Sequence, residues 1–302
     1  MRAISMLVAT ALGIAASATA QVATQQRPNP NPLSTTASVR VIRDITYEEI
    51  DGKQLGLDLF IPSTGAGLRP AVVFINNGGF VRSIKAAFAP QATRMAELGF
   101  VSASIEIRTA PESHFPAQLN DVEASVRWIH EHAAEFQIDT NRIGVVGISS
   151  GGYIAAAIGT NLWSGHDWSG TPRNLRVQAI VAFNPNSDLP ALADLVPTGR
   201  NTALFLGHEY VGAEDLWRDA SVIAHTTVAA APLLLFHGTA DKIVPYKQSV
   251  ELKRPLELSV ATVDVIDIFR VVDGRIAEHW GVLDQLGLLR QLGARPTVPP
   301  AA

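Results

Sequence analysis

From Val39 onward the chain alternates short β-type runs with helical patterns, and no other feature narrows its fold as far. The runs are Val39–Glu48, Leu55–Ile61, Ala71–Asn76, Val101–Ile107, Ile143–Gly147, Val177–Phe183 and Leu233–His237. The last five are almost continuously apolar or β-branched, as strands covered on both faces must be. The clearest helix follows Pro116, where Leu119, Val122, Val126, Ile129, Ala133 and Phe136 recur at steps of three and four. That spacing draws one apolar stripe along a helix and leaves Asp121, Glu123, Arg127 and Glu131 on other faces. Strand–helix alternation predicts an α/β fold, with a mostly parallel central sheet and helices on both faces. Chemistry on such a sheet gathers at the carboxyl ends of its strands.

Composition removes several functions. The 302 residues carry a net charge of −4, which argues against a nucleic-acid partner, because neutralising phosphates needs a clustered basic surplus. There is no cysteine, so disulfides, thiolate catalysis and Cys-ligated zinc are excluded. Residues 1–20 read as a secretory signal peptide: Arg2, an apolar run, then the small residues Ala18-Thr19-Ala20. The other reading, a membrane anchor, suffers from a short apolar stretch diluted by Ser and Thr. Residues 21–36 are polar and rich in Pro and Asn, and read as a disordered linker. No later segment is long and apolar enough to span a membrane, so the expected location is secreted or periplasmic. No motif speaks to oligomeric state.

The strand Arg142–Val146 runs into Gly147-Ile148-Ser149-Ser150-Gly151, and an apolar helix follows. This is G-x-S-x-G in the strand–turn–helix setting that makes a nucleophile elbow. The turn is so tight that Gly147 and Gly151 must be small, and it lifts the Ser149 hydroxyl above the sheet. A helix N-terminus beside it favours developing negative charge. A second glycine pair, Gly78-Gly79, follows the strand Ala71–Ile75 and frees backbone N–H groups where an oxyanion could form.

Taken together, residues 37–258 resemble an alpha/beta-hydrolase of the secreted esterase/lipase group (hormone-sensitive-lipase-like, BD-FAE-like). That group carries an HGGG-type loop where this chain has Asn76-Asn77-Gly78-Gly79. The resemblance implies an oxyanion hole built from the N–H groups of Gly78, Gly79 and Ser150. Asn76 stands where the family has His and Asn77 where it has Gly, a departure that leaves the amide donors in place but not the family's side-chain anchor for the loop. Residues 115–147 resemble the helix and strand leading into the elbow, and residues 220–249 the segment bearing the catalytic acid. Asp241, in His237-Gly238-Thr239-Ala240-Asp241-Lys242-Ile243-Val244-Pro245, lies at a strand's carboxyl end and fits the family's HGxxDxxVP acid. An Asx turn before Pro245 is the alternative reading of Asp241. His237 fits that pattern as a structural strand-end residue.

The histidine is the departure. Chain order in this fold is Ser, acid, His, and only His279 follows Asp241. Yet Asp273-Gly274 between two β-like flanks predicts a hairpin. His279 would then sit on the returning strand, about 16 Å from the turn at ~3.3 Å per residue. Residues 259–293 resemble the C-terminal end of a SnoaL-like (polyketide-cyclase-type, NTF2-like) domain, a piece too short to form that family's barrel. His279 is thus either the triad base or a sheet histidine beside Trp280. The tail as a whole, residues 259–302, reads as an atypical hairpin and helix with a disordered end.

No metal is expected. His130 and His132 are two apart and face different sides of their helix, unlike the i, i+4 pair of HExxH. No phosphate-loop pattern exists, so no cofactor is implied. The expected activity is cleavage of a small-molecule carboxylic ester through an acyl-enzyme, with Ser149, Asp241 and His279 as triad. A short segment between the sixth and seventh runs would leave little room for a large lid. The alternative is a catalytically impaired hydrolase fold that only binds ligand, its triad histidine lost with the replaced C-terminus.

Overall fold

The computed structural model describes residues 38–160, 177–226, 231–259, 267–272 and 275–281. The expected signal peptide and linker lie outside the described residues, as does the tail beyond residue 281. Nine strands occur among the described residues: β1 (Val39–Ile50), β2 (Lys53–Pro62), β3 (Arg69–Ile75), β4 (Val101–Ile105), β5 (Ile138–Ile148), β6 (Ala179–Phe183), β7 (Leu233–Phe236), β8 (Asp267–Val272) and β9 (Arg275–Gly281). The first seven form one sheet in the order β1-β2-β4-β3-β5-β6-β7. β1, β2 and β4 pair antiparallel; β4, β3, β5, β6 and β7 are parallel. Each of the seven expected runs is a strand, and the fold is that of an alpha/beta-hydrolase.

Side-chain alternation divides the core in two. Val73 and Ile75 of β3 join the larger cluster, with Leu57, Leu59, Ala103, Ile105 and Val145. Val72 and Phe74 join the smaller one on the opposite face, with Phe60, Val146, Val181 and Phe183. Period-two strands with apolar residues at every position must be covered twice. The helix α1 (Ala89–Glu97) covers the smaller face through Ala92, Met95 and Ala96. On the larger face lie α2 (Ala117–Glu131), the turn α3 (Ala133–Phe136) and α4 (Ser150–Thr160). Every residue of α4 is buried, which suits its all-apolar circumference. Further along, α5 (Thr198–Leu206) and α6 (Glu214–Asp219) follow β6, and α7 (Lys247–Ser259) follows β7.

Three local departures have physical causes. The stripe from Leu119 to Phe136 is broken at His132, whose φ of −101° and ψ of 10° end α2; its ring stacks on Trp128 at 4.0 Å. Asp121 is not on a solvent face. It is fully buried, and Arg108 reaches it with Nε and Nη2 at 2.9 and 2.6 Å while donating its backbone N–H at 2.7 Å. The segment between β6 and β7 is not a bare connection, because α5 and α6 stand on it. β8 and β9 pair antiparallel around Asp273-Gly274, as that dipeptide predicts, with Phe269 opposite His279.

Candidate active site

Ser149 follows β5 directly and holds a φ of 56°, in the left-handed region. For a residue with a Cβ this costs roughly 1–2 kcal/mol, so the surroundings must enforce it. They do so from both sides: Ser149 N–H donates to the Phe183 carbonyl at 2.9 Å, and its carbonyl accepts from Tyr153 N–H at 2.9 Å. The glycines of the motif are demanded by backbone contact. A Cβ on Gly147 would lie 2.0 Å from the Gly151 oxygen, and one on Gly151 would lie 2.5 Å from the oxygens of Ile75 and Asn76. Backbone atoms cannot swing aside as a flexible side chain would. The elbow is therefore locked to the end of β3.

The loop after β3 is fixed by equally close packing. A Cβ on Gly78 would meet the Arg82 carbonyl oxygen at 2.0 Å, and the Gly78 carbonyl accepts from Val81 and Arg82 N–H at 3.1 Å. Phe80, at a φ of 66°, turns inward and stacks on Phe205 with ring centroids 4.1 Å apart. The edge of Tyr153, from the elbow helix, meets the same Phe80 ring. Asn76 is buried and donates through Nδ2 to Ser83 Oγ at 3.4 Å, while Ser83 Oγ accepts from Ile107 N–H at 3.0 Å. This relay anchors the loop where the family's His would stand.

Gly78 and Gly79, two of the expected oxyanion donors, line the same cleft as Ser149, and Ser150, the third, follows it in sequence. Gly78 N–H donates to the Ser150 hydroxyl at 3.2 Å, so it ties the loop to α4 and is not directed to a reacting oxygen. The hydroxyl one residue beyond Ser149 captured it, a side-chain role invisible in the motif. Gly79 N–H and Ser150 N–H have no acceptor among the described residues. Gly79, at a φ of 58°, also borders the cleft in front of Ser149. That cleft, of about 240 Å³, is lined from four strand ends: Asn77 to Arg82 after β3, Ser149 after β5, Asn186 after β6, and Ile243 and Val244 after β7. Pro197, Thr198 and Asn201 close it from the start of α5. Thr198 donates to the Ile243 carbonyl at 2.8 Å, joining the covering helix to the acid loop. The Asn201 amide occupies the space a Cβ on Gly79 would need, at 2.5 Å. Sequence reading missed Thr198, Asn201 and Arg82, since nothing local marks a residue as facing a distant loop.

Asp241 lies in the loop that follows β7, where the sequence places it. Its Oδ1 accepts from Ile243 and Val244 N–H at 2.8 and 3.0 Å, so the Asx turn is present and fixes the carboxylate's direction. Its Oδ2 lies 3.8 Å from His237 Nε2, beyond hydrogen-bond reach. His237 is engaged elsewhere: Nε2 sits 2.8 Å from the Val244 carbonyl and Nδ1 2.7 Å from Ser249 Oγ. A carbonyl only accepts, so Nε2 carries the proton and Nδ1 accepts from the serine hydroxyl. Both nitrogens of a neutral ring are thereby satisfied, and burial holds the His237 pKa below its usual 6.5. His237 is a structural pin. No histidine among the described residues lines the cleft. The backbone of His279 runs in β9; its side chain lies outside the described residues. Among the described residues no group of three or more His, Cys, Asp or Glu converges as a metal would require.

The depressed pKa of His237 has a sign. Burial likewise lowers that of His130. As pH falls through about 6.5 the unfolded chain takes up protons that the folded chain refuses, so stability drops as pH falls. Above pH 7 both states hold these rings neutral and the contribution is complete. Thermal unfolding midpoints should be flat above pH 7 and decline from about pH 6.5 downward. His237→Gln, uncharged at every pH, should make that decline shallower; an unchanged slope would refute the assignment.

Comparison with known proteins agrees with this fold. A family model described as BD-FAE matches residues 57–256 of the 302, and one described as SnoaL-like polyketide cyclase matches residues 260–292. Esterase LipQ of Mycobacterium tuberculosis is 28% identical over 289 residues, covering 86% of this chain and 66% of its own. A probable isoprenylcysteine alpha-carbonyl methylesterase of Oryza sativa subsp. japonica is 27% identical over 239 residues, covering 76% and 56%. Among solved structures, a truncated carbohydrate esterase from gut microbiota superposes with a TM-score of 0.64 at 25% identity, covering 74% of this chain and 85% of that one. The chain spans less than two thirds of the length of these two curated relatives. No helix among the described residues is long and apolar enough to cross a membrane.

Proposed function

The chain belongs to the BD-FAE family, and from that membership we propose that it is an exported serine hydrolase of small-molecule carboxylic esters. The observation that carries this reading is Ser149, held at a φ of 56° between β5 and α4, beside two backbone amides without acceptors. Its hydroxyl oxygen attacks the ester carbonyl. The N–H groups of Gly79 and Ser150 take the oxyanion, a role in which each donor is worth roughly 3–4 kcal/mol. His279 accepts the serine proton and returns it to the departing alcohol, while Asp241 Oδ2 stabilises the imidazolium. Water, deprotonated by the same histidine, then releases the acid and regenerates Ser149. The esterase names of the relatives support the substrate class. The sequence of residues 1–20 supports export, and residues 37–258 form the catalytic domain with residues 259–302 as its tail.

A second reading, a hydrolase fold that binds esters without turning them over, is favoured by one observation: no histidine among the described residues lines the cleft. Labelling with a fluorophosphonate separates the two, because serine phosphonylation needs an activated hydroxyl. A single adduct on the peptide containing Ser149 is expected, slowed about 10²–10⁴-fold by His279→Ala. Absence of any adduct on folded protein would support the binder. Wild-type labelling in the His279 variant would remove that residue from the triad.

A further inference from the structure

The cleft beside Ser149 mixes polar and apolar groups, and its described lining carries a single charge. Among the residues that line it, Arg82 alone is ionisable. Among the described residues no carboxylate lines the cleft, and Asn77, Asn186 and Asn201 supply neutral amides. Arg82 lies just past the oxyanion loop, and its backbone is clamped there by the contacts with Gly78 described above. Its side chain is exposed, and no described residue offers it a hydrogen bond or an ion pair. Asn186 is only 3% exposed, yet its Oδ1 has no hydrogen-bond partner. A buried polar atom without a partner costs roughly 1–3 kcal/mol, so this amide oxygen suits a ligand that also brings a hydrogen-bond donor, and it lends a carboxylate no support.

Resting on the esterase reading, we propose that the cleft selects esters bearing a carboxylate, which the Arg82 guanidinium holds. The planar fork of an arginine matches a carboxylate in two parallel hydrogen bonds. The protein's net charge of −4 gives no general attraction for anions, so the preference is local to Arg82. Because Arg82 is exposed, salt screens the interaction and the preference shrinks as ionic strength rises. The carboxylate takes no part in bond making; it orients the ester before Ser149 attacks.

The test compares substrates that differ only in charge. For an anion in the alcohol portion the pair is 4-acetoxybenzoate and 4-acetoxybenzamide; for one in the acyl portion it is the mono-4-nitrophenyl ester of adipic acid and 4-nitrophenyl hexanoate. In at least one pair, the anionic-to-neutral ratio of kcat/KM should fall about tenfold on Arg82→Gln, through KM, and recover partly in Arg82→Lys. A ratio unmoved in both pairs would overturn the proposal. A purely structural role for Arg82 would lower both members of a pair together, which also overturns it. Binding to the Ser149→Ala protein, measured by titration calorimetry with 4-acetoxybenzoate and with monomethyl adipate, needs no turnover. There Arg82→Gln should weaken at least one Kd about tenfold, and equal Kd values for both ligands would sink the idea even in a protein without esterase activity. Neutral-ester turnover that is lost in Ser149→Ala but shows no charge preference would refute this inference and leave the esterase reading intact.

Discussion

Ser149→Ala is expected to lower kcat/KM for a short-chain aryl ester by at least about 10⁴-fold, without loss of fold. The size follows from what is removed: the oxygen that forms the acyl bond, and with it the use of any base. The residual rate would come from the amides of Gly79 and Ser150 and from substrate binding. Alanine keeps the Cβ that already occupies the left-handed backbone at position 149, so its strain is no greater than that of serine. The unfolding midpoint should therefore stay within a few degrees of wild type. Stopped assays with 4-nitrophenyl acetate, alongside thermal unfolding, read both quantities. Retention of more than about a hundredth of the activity would show that the hydrolysis arises elsewhere.

Arg108→Leu should be the most damaging substitution for stability away from the cleft. Asp121 is fully buried, and burial pushes its pKa above the ordinary carboxylate value even with the guanidinium present. Removing Arg108 strands that carboxylate in the core and frees the Ala117 carbonyl, which Arg108 also binds at 3.1 Å. Breaking a buried pair on one side costs about 3–5 kcal/mol. In a domain of this size that lowers the midpoint by roughly 10 °C. The double variant Arg108→Leu/Asp121→Leu should regain most of the loss, since apolar replacement of both partners leaves no orphan charge. The single variant should also approach wild type on acidification, when Asp121 takes a proton and stays buried as a neutral acid. Denaturant unfolding at pH 5 and pH 7.5 checks both. A single variant as stable as wild type at pH 7.5 would mean the pair contributes nothing.

The strands were legible because their signal is local. A short apolar run rich in β-branched residues and bounded by turn signals favours a strand over a helix, and the seven runs match β1 to β7 closely. Their edges were less so. β5 begins at Ile138, ahead of the expected Ile143, because Ile138 pairs with Arg69 of β3 across an irregularity that the polar residues Asp139 to Arg142 do not announce. Asp121 misled for the opposite reason. Its place on the helix wheel says surface, and only the loop after β4, arriving with Arg108, makes its burial tolerable. The antiparallel pairing of β8 with β9 was legible from Asp273-Gly274 between two β-like flanks, since that dipeptide favours bringing its flanking strands together.

What the chain determined by itself is the bend at Ser149. Gly147, Ser149 and Gly151 are within one turn of each other, and the clash a Cβ at position 147 would make with residue 151 is set by bonded geometry over five residues. What only the tertiary structure decided is the company that bend keeps. Ile75 pairs with Gly147, Ile148 with Phe183, and Phe183 with Phe236, so strands far apart in sequence end level with one another. That shared register delivers Gly79, Ser149, Asn186 and Val244 to one cleft, turns the Gly78 amide onto the Ser150 hydroxyl, and leaves the Arg82 guanidinium beside them without a partner among the described residues. Contacts across such distances depend on the alignment of whole strands, and no short window of residues contains it.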